Sequence, residues 1–559
     1  MKKSIHERFP AVALSLSLLP IKHPYEIFRD KRGHFNAKRK KRGKVQYLYG
    51  EDSQEEIENW FKTLQLEKVE IVYIYGLALG FYFEPLKAWI EKEPRHRIVF
   101  IEDDLAVIDA FIKADLSPCF DNPKVHLHFI SEASKWKESL EILVSSFPSD
   151  LLIFTPLKAY SSQKKVEAMR LCLQRRASLM DVLFTEVMYA PFLFKNLHPH
   201  FKKIPESFFA NRWRGRFENI PAIICGAGPS LSKEIETLKQ VGDRALLFAG
   251  GSALTALTFQ QVMPHIGIAI DPSSTEYDRL KESTAFEIPL IFAPRLFPKV
   301  EGLFNGPWGY LHSDTGGKIE YGLVRKLQLK ETPIGPDLGC EALSVMTLSV
   351  ALACAMGCNP IIFVGVDLAF TDNQSYALGV VEDVSSCLDT LKKEPKAIDQ
   401  LVKLKDRKGK PIYTLVKWIM ESETISRYAK VHPETQFINS TEGGIGFSDI
   451  EYRPLAEVIE SDCTLFYNLQ GLLHAESEEN RWTHCRVEEI EAWFNEVKQS
   501  LERMHALIEE MLINTSEGRQ ALLELDFQEE LAFDCFFQGI TSIEQYKTMI
   551  KSYLETLSK

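Results

Sequence analysis

Ala222-Ile223-Ile224-Cys225-Gly226-Ala227-Gly228-Pro229-Ser230-Leu231 is the stretch that decides the fold. An apolar strand-like run enters a glycine turn, and a helical pattern opens at Leu231. Strand, tight turn, helix is how a doubly wound α/β domain begins. Glycine permits a sharp turn and the close approach of a ligand. The helix start that follows offers free N–H groups and a partial positive charge, which suit phosphate. Ser230 is placed to cap that helix or to bond a ligand. The loop departs from a dinucleotide fingerprint, because Leu231 stands where a third glycine belongs and Pro229 stiffens the turn. No acid follows about 20 residues on, where a ribose would need it. A Walker Lys-Ser/Thr pair is missing as well, so neither NAD nor a P-loop triphosphate site is expected.

Working outward, strand-like runs recur at 245–249, 266–270, 289–292, 360–364 and 436–438, with helical patterns between most of them. The alternation predicts a parallel sheet wound on both faces. Asp271 ends one of these runs, and Asp367 follows another after Gly365-Val366. Ligands of such sheets bind outside the carboxyl ends of the strands, so both carboxylates are expected beside the glycine loop. Ribose binding, Mg²⁺ binding, loop orientation and simple turn capping all remain open for them. Asn439-Ser440-Thr441-Glu442-Gly443-Gly444 is another junction of strand and polar loop, suited to reading a base or a sugar, or to making a turn.

Residues 1–205 carry a second α/β series. Val69 to Gly80, 97–101, 125–130 and 151–155 read as strands separated by helices. Strand, Gly76-x-x-x-Gly80, helix, strand, then Glu102-Asp103-Asp104 is also how methyltransferases seat a cofactor, although the acids serve equally as a helix cap. Before this series lies the basic stretch 31–44, read either as a docking site for an acidic partner or as a solvated hairpin. From Ser461 onward the pattern turns helical. Val487, Ile490, Phe494, Val497, Leu501, Met504, Ile508 and Met511 recur every three or four positions, which gives an amphipathic helix of about seven turns. A lid, an oligomer interface and a docking surface are all open to that region. The expected architecture is therefore two Rossmann-like, doubly wound parallel-sheet domains, 1–205 and 206–460, followed by a C-terminal helical domain, 461–559.

The chain has 559 residues, of which 45% are hydrophobic, and a net charge of −11. The length suits several domains of ~100–200 residues each. The acidic balance disfavours broad nucleic-acid binding. Ten cysteines lie without framework spacing or paired C-x-x-C units, which predicts free buried thiols and no structural zinc. Lys2 and Lys3 precede an apolar run to Leu19, but Glu7 and Arg8 intervene and no small-residue cleavage site follows, so the run reads as a helix rather than a signal peptide. No apolar run reaches the ~20 residues that a membrane span takes, and a cytoplasmic protein is expected.

Taken together, three motifs resemble a known group. The loop Gly226 to Leu231 resembles the opening motif of bacterial CMP-sialic-acid sialyltransferases and that of the Maf (motility accessory factor) flagellin glycosyltransferases with their related MptE-like domain. Ser344 to Gly357 followed by Pro360 to Thr371 resembles the helix, strand and G-x-D-L-A segment of Maf proteins, and Ile438 to Gly444 their I-N-x-T-E-G-G motif. The resemblance implies a sialyltransferase-like central domain that transfers a nonulosonic acid from a CMP-sugar to a protein or glycan hydroxyl, with no cofactor. Gly226, Ala227, Gly228, Pro229, Ser230 and Ser344 would hold the nucleotide, aided by Asn439, Ser440, Thr441 and Gly443. Tyr376 matches a Tyr that steadies the leaving phosphate, and Asp271 or Asp367 would serve as base. Tyr376-Ala377 stands where Maf proteins usually show His-Ala, and Ala342-Leu343 replaces the glycines before the family Ser. His432 is the only histidine between this Tyr and the last strand, and it reads as a surface residue. The MptE-like side of the resemblance implies instead a pterin pyrophosphokinase using ATP and Mg²⁺, with Asp271 and Asp367 as metal ligands. A third reading is a non-catalytic nucleotide-binding scaffold.

Overall fold

The computed structural model describes residues 7–558 except 148, 150, 162–164, 189, 314, 316, 339–343, 381–386, 394–400, 483–484, 514–516 and 538–542. Ala342 and Leu343, the departures before Ser344, thus lie outside the described residues. The chain forms two compact units: Met1–Val182 with Asp389–Leu401, and Leu183–Leu388 with Val402–Lys559.

In the first unit, β1 (Glu26–Arg29), β2 (Phe35–Lys41) and β3 (Lys44–Tyr47) make an antiparallel sheet. The basic stretch is therefore mostly strand. Next come β4 (Ile71–Tyr75), β5 (Arg97–Glu102), β6 (Val125–Phe129) and β7 (Leu152–Pro156), all parallel in the order β6-β5-β4-β7. Every residue of β4 is buried, as a continuous β-branched and aromatic run requires when helices cover both faces. Helix Pro10–Leu18 forms where the N-terminal apolar run is. Val12 is buried in it, while Leu14 and Leu18 are exposed.

The second unit is built on eight parallel strands. They are β8 (Phe208–Phe209), β9 (Ala222–Cys225), β10 (Leu246–Gly250), β11 (Ile266–Ala269), β12 (Leu290–Phe292), β13 (Trp308–Tyr310), β14 (Ile361–Val364) and, after the ribbon β15 (Leu401–Lys405) and β16 (Pro411–Leu415), β17 (Phe437–Asn439). Their order is β17-β14-β9-β10-β11-β12-β13-β8. From β9 the chain steps one way to β13, whereas β14 and β17 lie on the other side of β9. The order therefore reverses between β9 and β14, and Cys225 pairs with Val364 there. One face of the sheet packs on helices that include Leu231–Lys239 and Ser252–Phe259, the other on Val345–Ala355 and Val416–Val431.

The expected helices follow Ser461, and they belong to the same compact unit as the sheet. Helix Val487–Ile513 points Ile490, Trp493, Phe494, Val497, Leu501 and Met504 into the same core as the sheet. Phe194, from helix Ala190–Lys203, meets Phe494 and Tyr553 at ring distances of 6.0 and 5.3 Å. The apolar stripe that was open to a lid or an oligomer interface thus packs on the chain's own helices, among them Ala190–Lys203 and Ile543–Leu557, whose facing sides are apolar too. Among the described residues no helix is long and apolar enough to cross a membrane, and all the cysteines are free thiols.

Candidate functional site

The reversal between β9 and β14 is where a ligand was expected, and the protein's own groups occupy it. Gly228 N–H donates to Gly365 O at 2.8 Å, and Gly226 N–H to Val364 O at 2.8 Å. A Cβ on Gly226 would stand 2.5 Å from Gly365 O, and one on Gly228 would overlap the Asp367 carboxylate. Asp367 is 1% exposed. It accepts the Ser230 hydroxyl at 2.6 Å, the Ser230 N–H at 3.3 Å and the Thr371 hydroxyl at 2.5 Å. Burial raises its pKa, and the bonds from Ser230 and Thr371 and the charge of Lys233 oppose the rise.

The third motif completes this knot. Gly444, at φ +76°, packs on the Asp367 backbone, and Ile445 N–H donates to Asp367 O at 3.0 Å. Gly443 packs against Asp367 and Thr371. Thr441 Oγ1 accepts Val366 N–H at 3.1 Å, Asn439 Oδ1 accepts Thr441 N–H at 2.9 Å, and the Ser440 hydroxyl donates to Arg453 O at 2.8 Å. All three motifs therefore meet, but around a carboxylate. Two expectations change. The Ser230 side chain neither caps its helix nor faces solvent, and Asp367 is buried rather than aimed into an open crevice. The physical reason is that the anion drawn to the helix start is internal: Asp367 accepts the N–H that a phosphate would have taken. Ala227 and Pro229 frame this loop. Ala377 N–H donates to Ala227 O at 2.8 Å, which lays the half-buried Tyr376 beside it.

A second constellation lies beside the knot, at the carboxyl ends of β10 and β11. Gly250 ends β10, and its missing side chain admits Val345, the first residue of helix Val345–Ala355. Gly251 follows at φ +47° and opens helix Ser252–Phe259. Asp271, just beyond β11, accepts the Ser273 N–H at 2.8 Å and hydroxyl at 2.7 Å, and its other oxygen stands 3.9 Å from Arg279. It thus caps a turn, as one reading of the sequence had it, while its side chain remains 36% exposed.

Glu276, five residues on, is 2% exposed, and its Oε1 has no hydrogen-bond partner among the described residues. Burial pushes its carboxyl up to about 8, the Asp271 charge adds to the shift, and Arg279 opposes it. A Cβ on Gly251 would stand 3.3 Å from Glu276 Oε2, so only the glycine leaves this carboxyl room beside the helix start. Ser344 closes the wall. It forms a capping box with Thr347 and donates its hydroxyl to Glu421 Oε1 at 2.5 Å. Burial raises the Glu421 carboxyl, against the Ser344 bond and the Lys417 charge. Burial also lowers the Lys417 ammonium, opposed by Glu421 and reinforced by Arg279. Lys417 is exposed and Glu421 half-buried, so both remain accessible to solvent. The result is a cluster of a buried carboxyl with a raised pKa, two cations and two helix N-termini.

Sequence reasoning placed Asp271 and Ser344 here and missed Glu276, Arg279, Lys417 and Glu421. The signals available were weak: Glu276 and Arg279 share the connection that follows Asp271, and Lys417-x-x-x-Glu421 looks like an ordinary surface pair. His432 follows helix Val416–Val431 and bonds Glu434 at 3.0 Å, ahead of β17 and so at the amino ends of the strands.

Residues 195–373 match the family model described as 6-hydroxymethylpterin diphosphokinase MptE-like. The resemblance read from Gly226–Leu231 and Pro360–Thr371 holds over this segment. The MptE-like segment contains the glycine loop, Asp271, Glu276, Arg279, Ser344 and Asp367, and it ends before Lys417, Glu421 and the Asn439–Gly444 motif. A solved structure described as the Maf glycosyltransferase from Magnetospirillum magneticum AMB-1 superposes with a TM-score of 0.45 and 15% identity, covering 99% of this chain and 89% of that one. No curated protein matches the chain in sequence.

Proposed function

We propose that the second unit is a glycosyltransferase that moves a nonulosonic acid, of sialic, pseudaminic or legionaminic type, from a CMP-activated donor to a protein or glycan hydroxyl. The observation that supports this reading is Glu276: a buried carboxyl pushed up to about 8, with one oxygen unpartnered among the described residues, beside Arg279 at the carboxyl ends of parallel strands. A general base works best when its pKa lies near the working pH. The acceptor O–H gives its proton to the Glu276 carboxylate as the acceptor oxygen bonds the anomeric carbon. The bond from that carbon to the phosphate oxygen breaks, and CMP leaves with the electron pair. Arg279 and Lys417 neutralise the charge that develops on the phosphate, helped by the helix start at Ser252. Tyr376, on the segment laid over the glycine loop, supplies the phenol that the resemblance assigns to the same phosphate. In this reading Asp271 orients Arg279, and the Asp367 knot fixes the loops.

Calorimetric titration with CMP and with CMP-sialic acid tests it, together with CMP release in the presence of glycan acceptors. Glu276→Gln is expected to lower release by about 100-fold with binding preserved. If neither CMP nor any CMP-sugar binds, the reading is lost.

The printed name of the MptE-like family supports a second reading, transfer of diphosphate from ATP to a pterin alcohol. Asp271 Oδ2 and Glu276 Oε1 fit a hard cation that takes oxygen ligands. Mg²⁺ held there would neutralise a triphosphate. EDTA separates the two readings: turnover that persists in the chelator rejects this one.

A further inference from the structure

The first unit contains a cavity of about 760 Å³ that the proposed reaction does not use. Arg39 and Lys41 of the antiparallel sheet line it on one side. Asp103, Asp104 and Tyr160, beyond the carboxyl ends of β5 and β7, line it on the other. Open parallel sheets take their ligands at that end, and the volume lies within the range of small-molecule sites.

The basic stretch of the sequence supplies one wall through strand geometry. Successive side chains of a strand point to opposite faces, so Arg39 and Lys41 share the face toward the cavity while Lys40 is exposed. Arg39 is held tightly. Its Nη2 lies 2.5 Å from Asp104 Oδ2, its Nε–H donates to Gln46 at 3.0 Å, and its guanidinium sits 4.5 Å from the Tyr25 ring centroid. Asp103 is paired with Lys165 and accepts the Tyr75 hydroxyl at 2.9 Å. Both acids that face the cavity are thereby balanced. Glu102 behind them is fully buried, and burial pushes its carboxyl up to about 8. Lys22 and Lys41 also line the cavity, and neither forms an ion pair among the described residues. The cavity is left with a surplus of positive charge.

The glycine loop after β4, read from the sequence as a cofactor seat, is closed. Leu77, Ala78 and Leu79 are buried, and a Cβ on Gly76 would stand 2.7 Å from the Tyr160 ring. A dinucleotide or an extended methyl donor cannot lie across it.

We infer that this cavity binds a sugar phosphate, either free or as the sugar and phosphate of a nucleoside monophosphate. Lys22 and Lys41 attract the phosphate, and Asp103, Asp104 and Ser131 meet the ring hydroxyls. The site is independent of the transferase reading. The test is calorimetric titration of the full chain with ribose 5-phosphate, AMP and inorganic phosphate at low ionic strength. Ribose 5-phosphate or AMP is expected to bind with a Kd below about 1 mM, and inorganic phosphate at least about tenfold more weakly. Equal affinity for ribose 5-phosphate and AMP marks a free sugar phosphate as the ligand class, whereas binding of AMP alone marks the nucleotide. Lys41→Glu and Lys22→Glu are each expected to weaken binding about tenfold, Lys41→Arg to retain it, and all three to leave CMP release unchanged. The inference is overturned if no probe binds, if inorganic phosphate binds as well as the sugars, or if both glutamate variants bind like the parent. It is equally overturned if Arg279→Ala, in the second unit, is the change that abolishes ribose 5-phosphate binding.

Discussion

Glu102 and Glu276 are both deeply buried carboxyls pushed up to about 8, one in each unit. Their surroundings differ. Glu102 accepts N–H bonds from Leu77 at 3.0 Å and from Asp103 and Asp104 at 2.9 Å each, and the Tyr160 hydroxyl besides. Glu276 leaves one oxygen unpartnered among the described residues, with Arg279 nearby and a helix start in front of it. A raised pKa alone therefore does not distinguish a strut from a working group. What distinguishes them is whether the hydrogen-bonding capacity is already filled by the fold.

Three changes probe that contrast. Glu102→Ala orphans three backbone N–H groups and a buried phenol at once. At about 1–3 kcal/mol for each unsatisfied buried group, it is expected to unfold the first unit or to destabilise it by about 4 kcal/mol. Denaturant titration measures this, and a loss under about 1 kcal/mol would make Glu102 as dispensable as an ordinary surface acid.

Glu276→Gln should act in the opposite direction on stability. The ordinary carboxyl value is 4.5 and the folded one about 8. Between these values the unfolded chain releases a proton that the folded chain keeps, so the parent loses stability as pH rises through that window. The full interval corresponds to up to about 5 kcal/mol. Glutamine cannot ionise, so the variant's advantage should be near zero at pH 4.5 and largest at pH 8 and above, as thermal melts across the range would reveal. CMP release by the parent should rise with pH up to about 8. A variant whose advantage is flat with pH would show that Glu276 is ionised throughout. The smallest effect is expected at Ser344→Ala, which removes one half of a capping box at a cost of about 1 kcal/mol. A drop in melting temperature of a few degrees fits that role, larger at high pH, where the charged Glu421 loses the Ser344 hydroxyl it accepts.

Six of the eight central strands were legible in the sequence, because each is an apolar run bounded by glycine, proline or polar residues. Phe208–Phe209 and Trp308–Tyr310 were not, because two or three residues are too short to display a period. The antiparallel sheet was hidden by its composition. The strand Phe35–Lys41 buries Asn36, Ala37 and Arg39 beneath lysines, so hydropathy alone suggests a solvated loop. At the site, position was legible and burial was not. Asp271 and Asp367 were both read correctly as following strands, yet one is part-exposed and the other sealed under Ser230, Thr371 and Gly444. That outcome depends on residues 439–445, which lie more than 70 positions further along the chain. Glu276 has no local mark at all. Only the packing of Gly251 and the neighbouring helix makes it differ from any other glutamate in a first helical turn.

The knot around Asp367 also bears on how the protein can be cut. A fragment ending at residue 373, with the MptE-like segment, would lack Phe437–Asn439, the neighbour of β14, as well as Thr441, Gly444 and Ile445, which hold the Asp367 segment in place. It would expose a bare sheet edge next to the glycine loop, the kind of edge that recruits other chains. The smallest piece worth expressing runs at least through Ile445, and in practice through the helices that cover the sheet. The region with the most recognisable sequence is therefore not a portable one.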